Sequence, residues 1–380
     1  MRILHIISDI YEGGVATIAY ELVRYQVLHN NEVTLLCTIN TQKQISRAQY
    51  FIDAGVNVVF APFENSYNPR IIFFLRKEFI KYDIVHVHHF PNQLFARIAA
   101  LTIPKGKRPI LITTEHSTYN NRRKYEIFRI LDRWMYRGYN KIICISKQTE
   151  TNIKSWLHPF KNIENSIITI QNGIDLQKYA LLTQYLNDKI NRNIIMVSRL
   201  EPPKDPFTVV RAISKCEKDV HVYFIGSGSL SDQVRDLAKE LSVEDRVHLL
   251  GNRNDVPNIL HNFSIGVLST IWEGFGLVLV EYMAAGLPVL VSDAEGMIDI
   301  VKDEYSIFPI GNDEILSKKI MKILNDRVIY NKMSKNSILQ SKEFSVEKMN
   351  KLYLDTYKGL LTKKYGLNFS NVSFQSYKLK

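Results

Sequence analysis

The stretch IGVLSTIWEGFGLVLVEYMAAGLPVLV, Ile265–Val291, decides the reading of this chain. It opens on a short apolar run, Ile265–Leu268. It then passes a turn rich in glycine and aromatic residues and enters the apolar helical pattern Leu277–Ala285. It closes on a second short run, Pro288–Val291. Two such runs joined through one helix read as a strand–helix–strand unit with parallel strands. Gly274 and Gly276 permit a tight turn after the first strand. The helix beginning near Leu277 aims its unpaired N–H groups and positive dipole end outside the sheet edge, where an anion or hydroxyl groups would sit.

Outward from this block the same unit recurs. Strand candidates before it are Ile3–Ser8, Glu32–Cys37, Val56–Phe60, Ile84–His88, Ile110–Thr114, Lys141–Ile145 and Ile167–Ile170. A second series runs Asn193–Ser198, Val220–Ile225, Val247–Leu250, Ile265–Leu268, Pro288–Val291 and Ser306–Phe308. Helical patterns lie between them, among them Ala16–His29, Lys124–Tyr136, Asp205–Cys216 and Ser231–Leu241. The alternation predicts an α/β chain with two doubly wound domains, each a parallel sheet covered by helices on both faces. Residues 1–172 form the first domain and 173–344 the second, with the boundary near Asn172–Asp175. A helix over Ser345–Leu361, within 345–366, is expected to return to the first domain, and 367–380 form a polar tail. Ligands of such sheets bind beyond the carboxyl ends of the strands, so two facing domains share one cleft.

Composition sets the outer bounds. The 380 residues correspond to roughly two and a half domains of about 150. At 46% hydrophobic and 23% charged, the chain is globular rather than disordered. Cys37, Cys144 and Cys216 are far apart and odd in number, which fits a reducing compartment and excludes a disulfide framework or a paired-cysteine zinc site. No apolar run is long and unbroken enough to span a bilayer, and the expected location is the cytoplasm, with peripheral attachment to the membrane as an extension. The net charge of +11 calls for an anionic partner, such as a phosphorylated substrate or an anionic membrane surface. Without zinc-finger spacing or an RNA-binding signature, no nucleic-acid partner is expected.

Four constellations carry chemistry. Seven residues separate Glu273 from Glu281, one in the loop and one in the helix, so they can grip two parts of a long ligand; they can also be acids that simply favour a helix N-terminus. Arg199 and Lys204, in VSRLEPPK after the first strand of the second domain, can converge on one diphosphate, a planar fork beside a mobile point charge. A solvated basic loop is the competing reading. Gly13-Gly14 occupies the phosphate-loop position of the first domain. It lacks G-x-G-x-x-G, which speaks against a nicotinamide dehydrogenase. Histidines gather in DIVHVHHF (His86, His88, His89) and at His116 in TTEHS. His86 and His88 share a strand face and read as packed core histidines, and no further metal ligand is evident. The basic, aromatic segment Asn120–Lys141 reads either as a helix lying on anionic lipid or as a surface helix that buries its apolar face and solvates its charges.

The block EGFGLVLVEYMAAGLPVLVSD, with its E-x7-E, resembles the retaining glycosyltransferases of family four, and the resemblance covers nearly the whole chain. It implies the GT-B fold, two Rossmann-like domains facing a central cleft, and transfer of a sugar from a nucleotide diphosphate to a hydroxyl acceptor with retention of anomeric configuration. By that resemblance Glu273 contacts the donor sugar and Glu281 the ribose. The backbone of Phe275, Gly276 and Leu277 faces sugar and diphosphate, Arg199 and Lys204 hold the diphosphate, and the Gly13-Gly14 loop closes over it. His116 reaches the reacting sugar, His88 or His89 lines the acceptor side, and the loop at Asn252 meets the base through its backbone. Asp205 departs from the glycine that usually follows the lysine. The resemblance also implies a UDP-sugar donor, a glycan or lipid-linked acceptor of bacterial surface-polysaccharide synthesis, and no required metal or cofactor, since cationic side chains replace the ion and no D-x-D is present. A nucleotide-sugar 2-epimerase of related fold and an inactive binding subunit remain as alternatives.

Overall fold

A computed structural model describes residues 1–10, 13–118, 120–159, 163–180 and 190–366. The predicted polar tail at 367–380 lies outside them. The first sheet contains β1 (Arg2–Ile7), β2 (Glu32–Cys37), β3 (Asn57–Phe60), β4 (Ile84–Val87), β5 (Ile110–Glu115), β6 (Lys141–Cys144) and β7 (Ile167–Thr169) in the order β3-β2-β1-β4-β5-β6-β7. The second contains β8 (Asn193–Val197), β9 (His221–Ile225), β10 (Val247–Leu249), β11 (Ile265–Leu268), β12 (Val289–Ser292) and β13 (Ile307–Phe308) in the order β10-β9-β8-β11-β12-β13. Every pairing is parallel. The strand order reverses between β1 and β4 in one sheet and between β8 and β11 in the other, so these two crevices are where ligands are expected.

Each sheet is buried on both faces, which explains its near-continuous apolar strands. In β8, Ile194 and Met196 face the helices Pro206–Ser214 and Asp313–Asn325, while Ile195 between them faces the helix Leu277–Ala284. This is the period-two alternation of a strand. The first sheet packs Leu4, Ile6, Val85 and Val87 against the helices Ile71–Phe79 and Asn92–Leu101 on one side. On the other, Ile3, Ile84 and Ile112 meet Ile18 and Leu22 of the first helix, Gly14–Leu28.

The last helix, Val346–Tyr365, belongs to that second face. It starts with Ser345 capping the Lys348 amide and buries Met349, Tyr353, Leu354, Tyr357 and Leu361. Each such side chain contributes about 1.5–3 kcal/mol of apolar burial. The Tyr357 hydroxyl lies 2.5 Å from His86 Nδ1, and Asn350 Nδ2 donates to the Glu21 carbonyl at 3.2 Å. The chain therefore passes between the sheets twice, and the two passages pair: the Ile174 amide donates to the Phe344 carbonyl at 3.0 Å, and the Val346 amide to the Ile174 carbonyl at 2.9 Å.

Candidate active site

The loops after β8 and β11 flank the second sheet's crevice and are stitched together. The Ile271 amide donates to the Pro203 carbonyl at 2.9 Å and the Asp205 amide to the Ser269 carbonyl at 3.1 Å. Between these bonds Lys204 Nζ forms an ion pair with Glu273 Oε2, and Glu273 Oε1 accepts from the Gly274 amide at 2.9 Å. Asp205, the departure from the expected glycine, caps the next helix by accepting from the Thr208 amide at 3.1 Å. Arg199 is exposed at the mouth of the same crevice. Its loop is fixed from below by Tyr282, whose hydroxyl accepts from the Val197 amide at 2.6 Å.

Gly276 stands at the helix entry with φ 72°, a left-handed conformation that a side chain disfavours. The Phe275 ring is buried edge-to-face on Phe344, which leaves only its backbone for a ligand. Five positions into the helix, Glu281 meets Tyr179 through a side-chain hydrogen bond, with Lys178 nearby. The residue keeps some accessible surface, but crowding strips water from its carboxyl and pushes its pKa up to about 7, against the opposing pull of Tyr179 and Lys178. Asn252, farther along the edge, is exposed and accepts from Ser227 Oγ at 3.1 Å.

The first domain presents its own sheet edge to these loops. A Cβ on Gly14 would stand 3.6 Å from Leu277, and a Cβ on Gly274 would stand 2.7 Å from the His116 carbonyl. Glycine at 274 thus lets the two domains meet, and Thr118 Oγ1 completes the junction by donating to the Glu273 carbonyl at 3.1 Å. Behind His116 lies a histidine cluster. His88 Nδ1 is 3.1 Å from His116 Nε2, His5 Nδ1 is 2.9 Å from His88 Nε2, and His89 Nε2 is 2.6 Å from Ser8 Oγ. Burial pulls the pKa of His116 down to about 3 and that of His5 to about 4, so both rings are neutral at physiological pH. Beside Thr118 a cavity of about 390 Å³ opens, lined by Asn120, Arg123, Arg129, Asn152 and Trp156.

Two family descriptions divide the chain between them. "Glycosyltransferase Family 4" matches residues 12–178, and "Glycosyl transferases group 1" matches 182–340. The chain is 30% identical over 307 residues to the UDP-Gal:alpha-D-GlcNAc-diphosphoundecaprenol alpha-1,3-galactosyltransferase of Escherichia coli, a match covering 74% of this chain and 77% of that one. The chain belongs to glycosyltransferase family 4. It is an enzyme of the glycosyltransferase class, and its fold is GT-B. Among solved structures, Anabaena HepE in complex with UDP superposes with TM-score 0.80 at 19% identity, covering 94% of this chain and all of that one. The apo form of the lipopolysaccharide outer core galactosyltransferase WaaB superposes at 0.71 with 17% identity, covering 95% and 100%.

In this glycosyltransferase the structure brings Gly14, His116, Lys204, Glu273, Gly276 and Leu277 to one junction, with Gly13 at the start of the first helix. Lys204 is bound to Glu273, and Arg199 is exposed in the same loop. The segment Asn120–Lys141 needs correction. Arg122 and Arg123 turn inward, each side chain 11% exposed, toward Asp132 at 3.4 Å and Glu115 at 3.5 Å. Arg129 donates to the carbonyls of Trp156 and His158. Tyr125, Ile127 and Ile130 are the exposed residues instead, at 62%, 70% and 66%. The cause is two buried carboxylates, which draw the guanidinium groups in. Sequence reading also missed Tyr179, which donates a hydrogen bond to Glu281, and His5, which joins His86 and His88. The β1–β4 register places His5 beside His86, and no local motif encodes that pairing.

Proposed function

We propose that this glycosyltransferase moves a sugar from a UDP-linked donor to a hydroxyl of a lipid-linked glycan, with retention and without a divalent ion. The carrying observation is the junction of Lys204, Glu273 and the helix start at Leu277 with His116 across it. Glu273 orients the sugar hydroxyls. Lys204 and Arg199, with the amides at Leu277, take up the negative charge of the diphosphate as the sugar–phosphate bond breaks. The acceptor hydroxyl forms its bond to the same carbon on the face the diphosphate leaves, and its proton passes to the departing phosphate oxygen. The galactosyltransferase of Escherichia coli, whose name records a UDP-linked donor and an alpha linkage on a diphosphoundecaprenol acceptor, supports both substrate classes. Glu281 takes the ribose, and the Asn252 loop the base. The cavity beside Thr118 and His89 face the acceptor, whereas His88, fully buried between His5 and His116, does not line that side.

The test is a panel of UDP- and GDP-sugars, each scored for thermal stabilisation and slow hydrolysis with and without a chelator, with Glu273→Ala as control. One UDP-sugar that stabilises the protein and is cleaved only when Glu273 is present, chelator or not, supports the reading. Loss of cleavage on chelation removes the metal-free mechanism. Conversion of the donor to its epimer points to an epimerase, and no turnover of any donor points to a binding subunit.

A membrane surface is the remaining partner. No helix among the described residues is long and apolar enough to cross a bilayer. Ile127, Ile130 and Trp134 instead form an exposed ridge at helical spacing, suited to lie in the headgroup layer. Flotation with vesicles containing anionic lipid should retain the enzyme, and Ile127→Ser with Ile130→Ser should release it by about tenfold, given the area lost. Equal retention of both proteins would remove the ridge from the membrane.

A further inference from the structure

Three buried imidazoles, His5, His86 and His88, offer ring nitrogens within 4.8 Å of one another, a spacing that admits a metal ion. Their hydrogen bonds assign them otherwise, because every ring nitrogen is already engaged. His86 spans Tyr357 and Thr114 at 2.5 and 2.7 Å. His5 spans Gln26 Oε1 at 2.8 Å and His88 at 2.9 Å, and His88 continues to His116 at 3.1 Å. The result is a line from Gln26, buried in the first helix, to the histidine at the domain junction.

The orientation of the Gln26 amide, with its oxygen toward His5, sets the direction of that line. An amide oxygen only accepts, so His5 Nε2 must carry the hydrogen. A neutral imidazole has one N–H, so His5 Nδ1 is an acceptor and His88 Nε2 must donate to it. His88 Nδ1 is then an acceptor in turn, and His116 Nε2 donates to it. One nitrogen of His116 remains, Nδ1, and it carries a lone pair. Desolvation keeps all three rings neutral near pH 7, so each has a single N–H.

We propose that Gln26, acting through His5 and His88, is a positioning residue that locks His116 in the Nε2–H tautomer, so that Nδ1 is presented as a fixed acceptor for a hydroxyl of the donor sugar. The last clause rests on the function proposed above; the tautomer assignment does not. A ring free to exchange tautomers would spend part of its time offering an N–H to a hydroxyl already committed to donate. A locked ring offers the same acceptor on every turnover.

The test reads the tautomers directly. Protein labelled with 15N in its histidine rings is examined at pH 7 by two-bond proton–nitrogen correlation, and His116 is assigned by the signals lost in His116→Asn. The expected pattern for His5, His88 and His116 is a protonated Nε2 and a bare Nδ1. A protonated Nδ1 on His116, an averaged pair of nitrogens or a charged ring overturns the proposal. Neutron diffraction of deuterated protein gives the same answer should His116→Asn not fold.

Gln26→Met removes the acceptor. Its His116 nitrogens should move to averaged values, and kcat for the donor should fall about tenfold while affinity for UDP, which lacks the sugar, stays within about twofold. Gln26→Glu, which restores an acceptor, should recover the tautomer and most of kcat. A fall in UDP affinity matching the fall in kcat would mean general damage and count against the proposal. Should wild-type protein turn over no donor, the function fails while the spectra still decide the tautomer.

Discussion

The two sheet edges that meet at the junction are built from opposite electrostatics. The second domain's edge is ionic: Arg199, Lys204 and Glu273 lie within one pair of loops, and Glu281 stands a turn beyond. The first domain's edge centres on uncharged histidines, His5, His86, His88, His89 and His116, held by Gln26, Thr114 and Ser8, with Arg123 and Glu115 beside them paired to each other. The difference follows from what each edge would touch. A nucleotide diphosphate brings negative charge that must be matched as it leaves, whereas sugar and acceptor hydroxyls need oriented donors and acceptors.

Disabling one edge at a time separates their contributions. Glu273→Gln should lower kcat by about a thousandfold and Lys204→Met by about a hundredfold, the range expected for electrostatic groups at a reacting centre. Because the two side chains are bound to each other, their losses should not add in the double variant. His116→Ala should cost less than Glu273→Gln and no more than Lys204→Met, about tenfold to a hundredfold. A larger loss at His116 than at Glu273 would invert the assignment and place the main burden on the neutral edge.

The second contrast is in acid stability. An unfolded histidine binds its proton near pH 6.5, while folded His5 declines it until about 4. The unfolded chain thus takes up more protons between these values, and stability falls as pH drops through that window. His5 alone accounts for about 2 kcal/mol between pH 7.5 and 5. His86 and His88, buried with pKa values pulled well below the ordinary one, add to it. The first domain should therefore melt before the second at pH 5. Thermal unfolding of a Trp272→Phe variant, whose remaining tryptophans Trp134 and Trp156 report the first domain, checks this. Coincident transitions at pH 5 and 7.5, unshifted between the two, would show that the cluster carries no such cost.

What the sequence made legible follows the same division. The ionic edge could be read because its residues sit in two short loops directly after strands, where spacing alone brings them to the crevice. His116 was legible for that reason too. The neutral edge was not, because Gln26, His5, His88 and Tyr357 come from four elements, and only the parallel register of β1 with β4 and the return of the last helix bring them together. Periodicity shows which face a residue takes but not which distant side chain meets it there. The inward turn of Arg122 and Arg123 was hidden likewise, since their partners Glu115 and Asp132 are acids that a surface-helix reading leaves in water.

The smallest expected effect concerns the one ionic-edge group that is not charged throughout the neutral range. Glu281 has its pKa raised to about 7 by desolvation, so the folded protein holds a proton that the unfolded chain releases near 4.5. The stability this contributes is complete below pH 4.5 and is lost as pH rises through 7. A ribose hydroxyl donating to Glu281 favours the carboxylate, so donor binding should release that proton and strengthen with pH. A group of pKa about 7 goes from about one-tenth to nine-tenths ionised between pH 6 and 8, which sets a tenfold gain in affinity for the UDP-sugar retained in the donor screen. The diphosphate of that ligand is a diester and does not titrate in this range. Calorimetry in two buffers of different ionisation enthalpy reads both the gain and the proton. Glu281→Gln should flatten the profile and stabilise the unliganded protein above pH 7. A flat wild-type profile, or one unchanged in Glu281→Gln, would detach the second glutamate from the ribose and leave its buried charge a property of the helix alone.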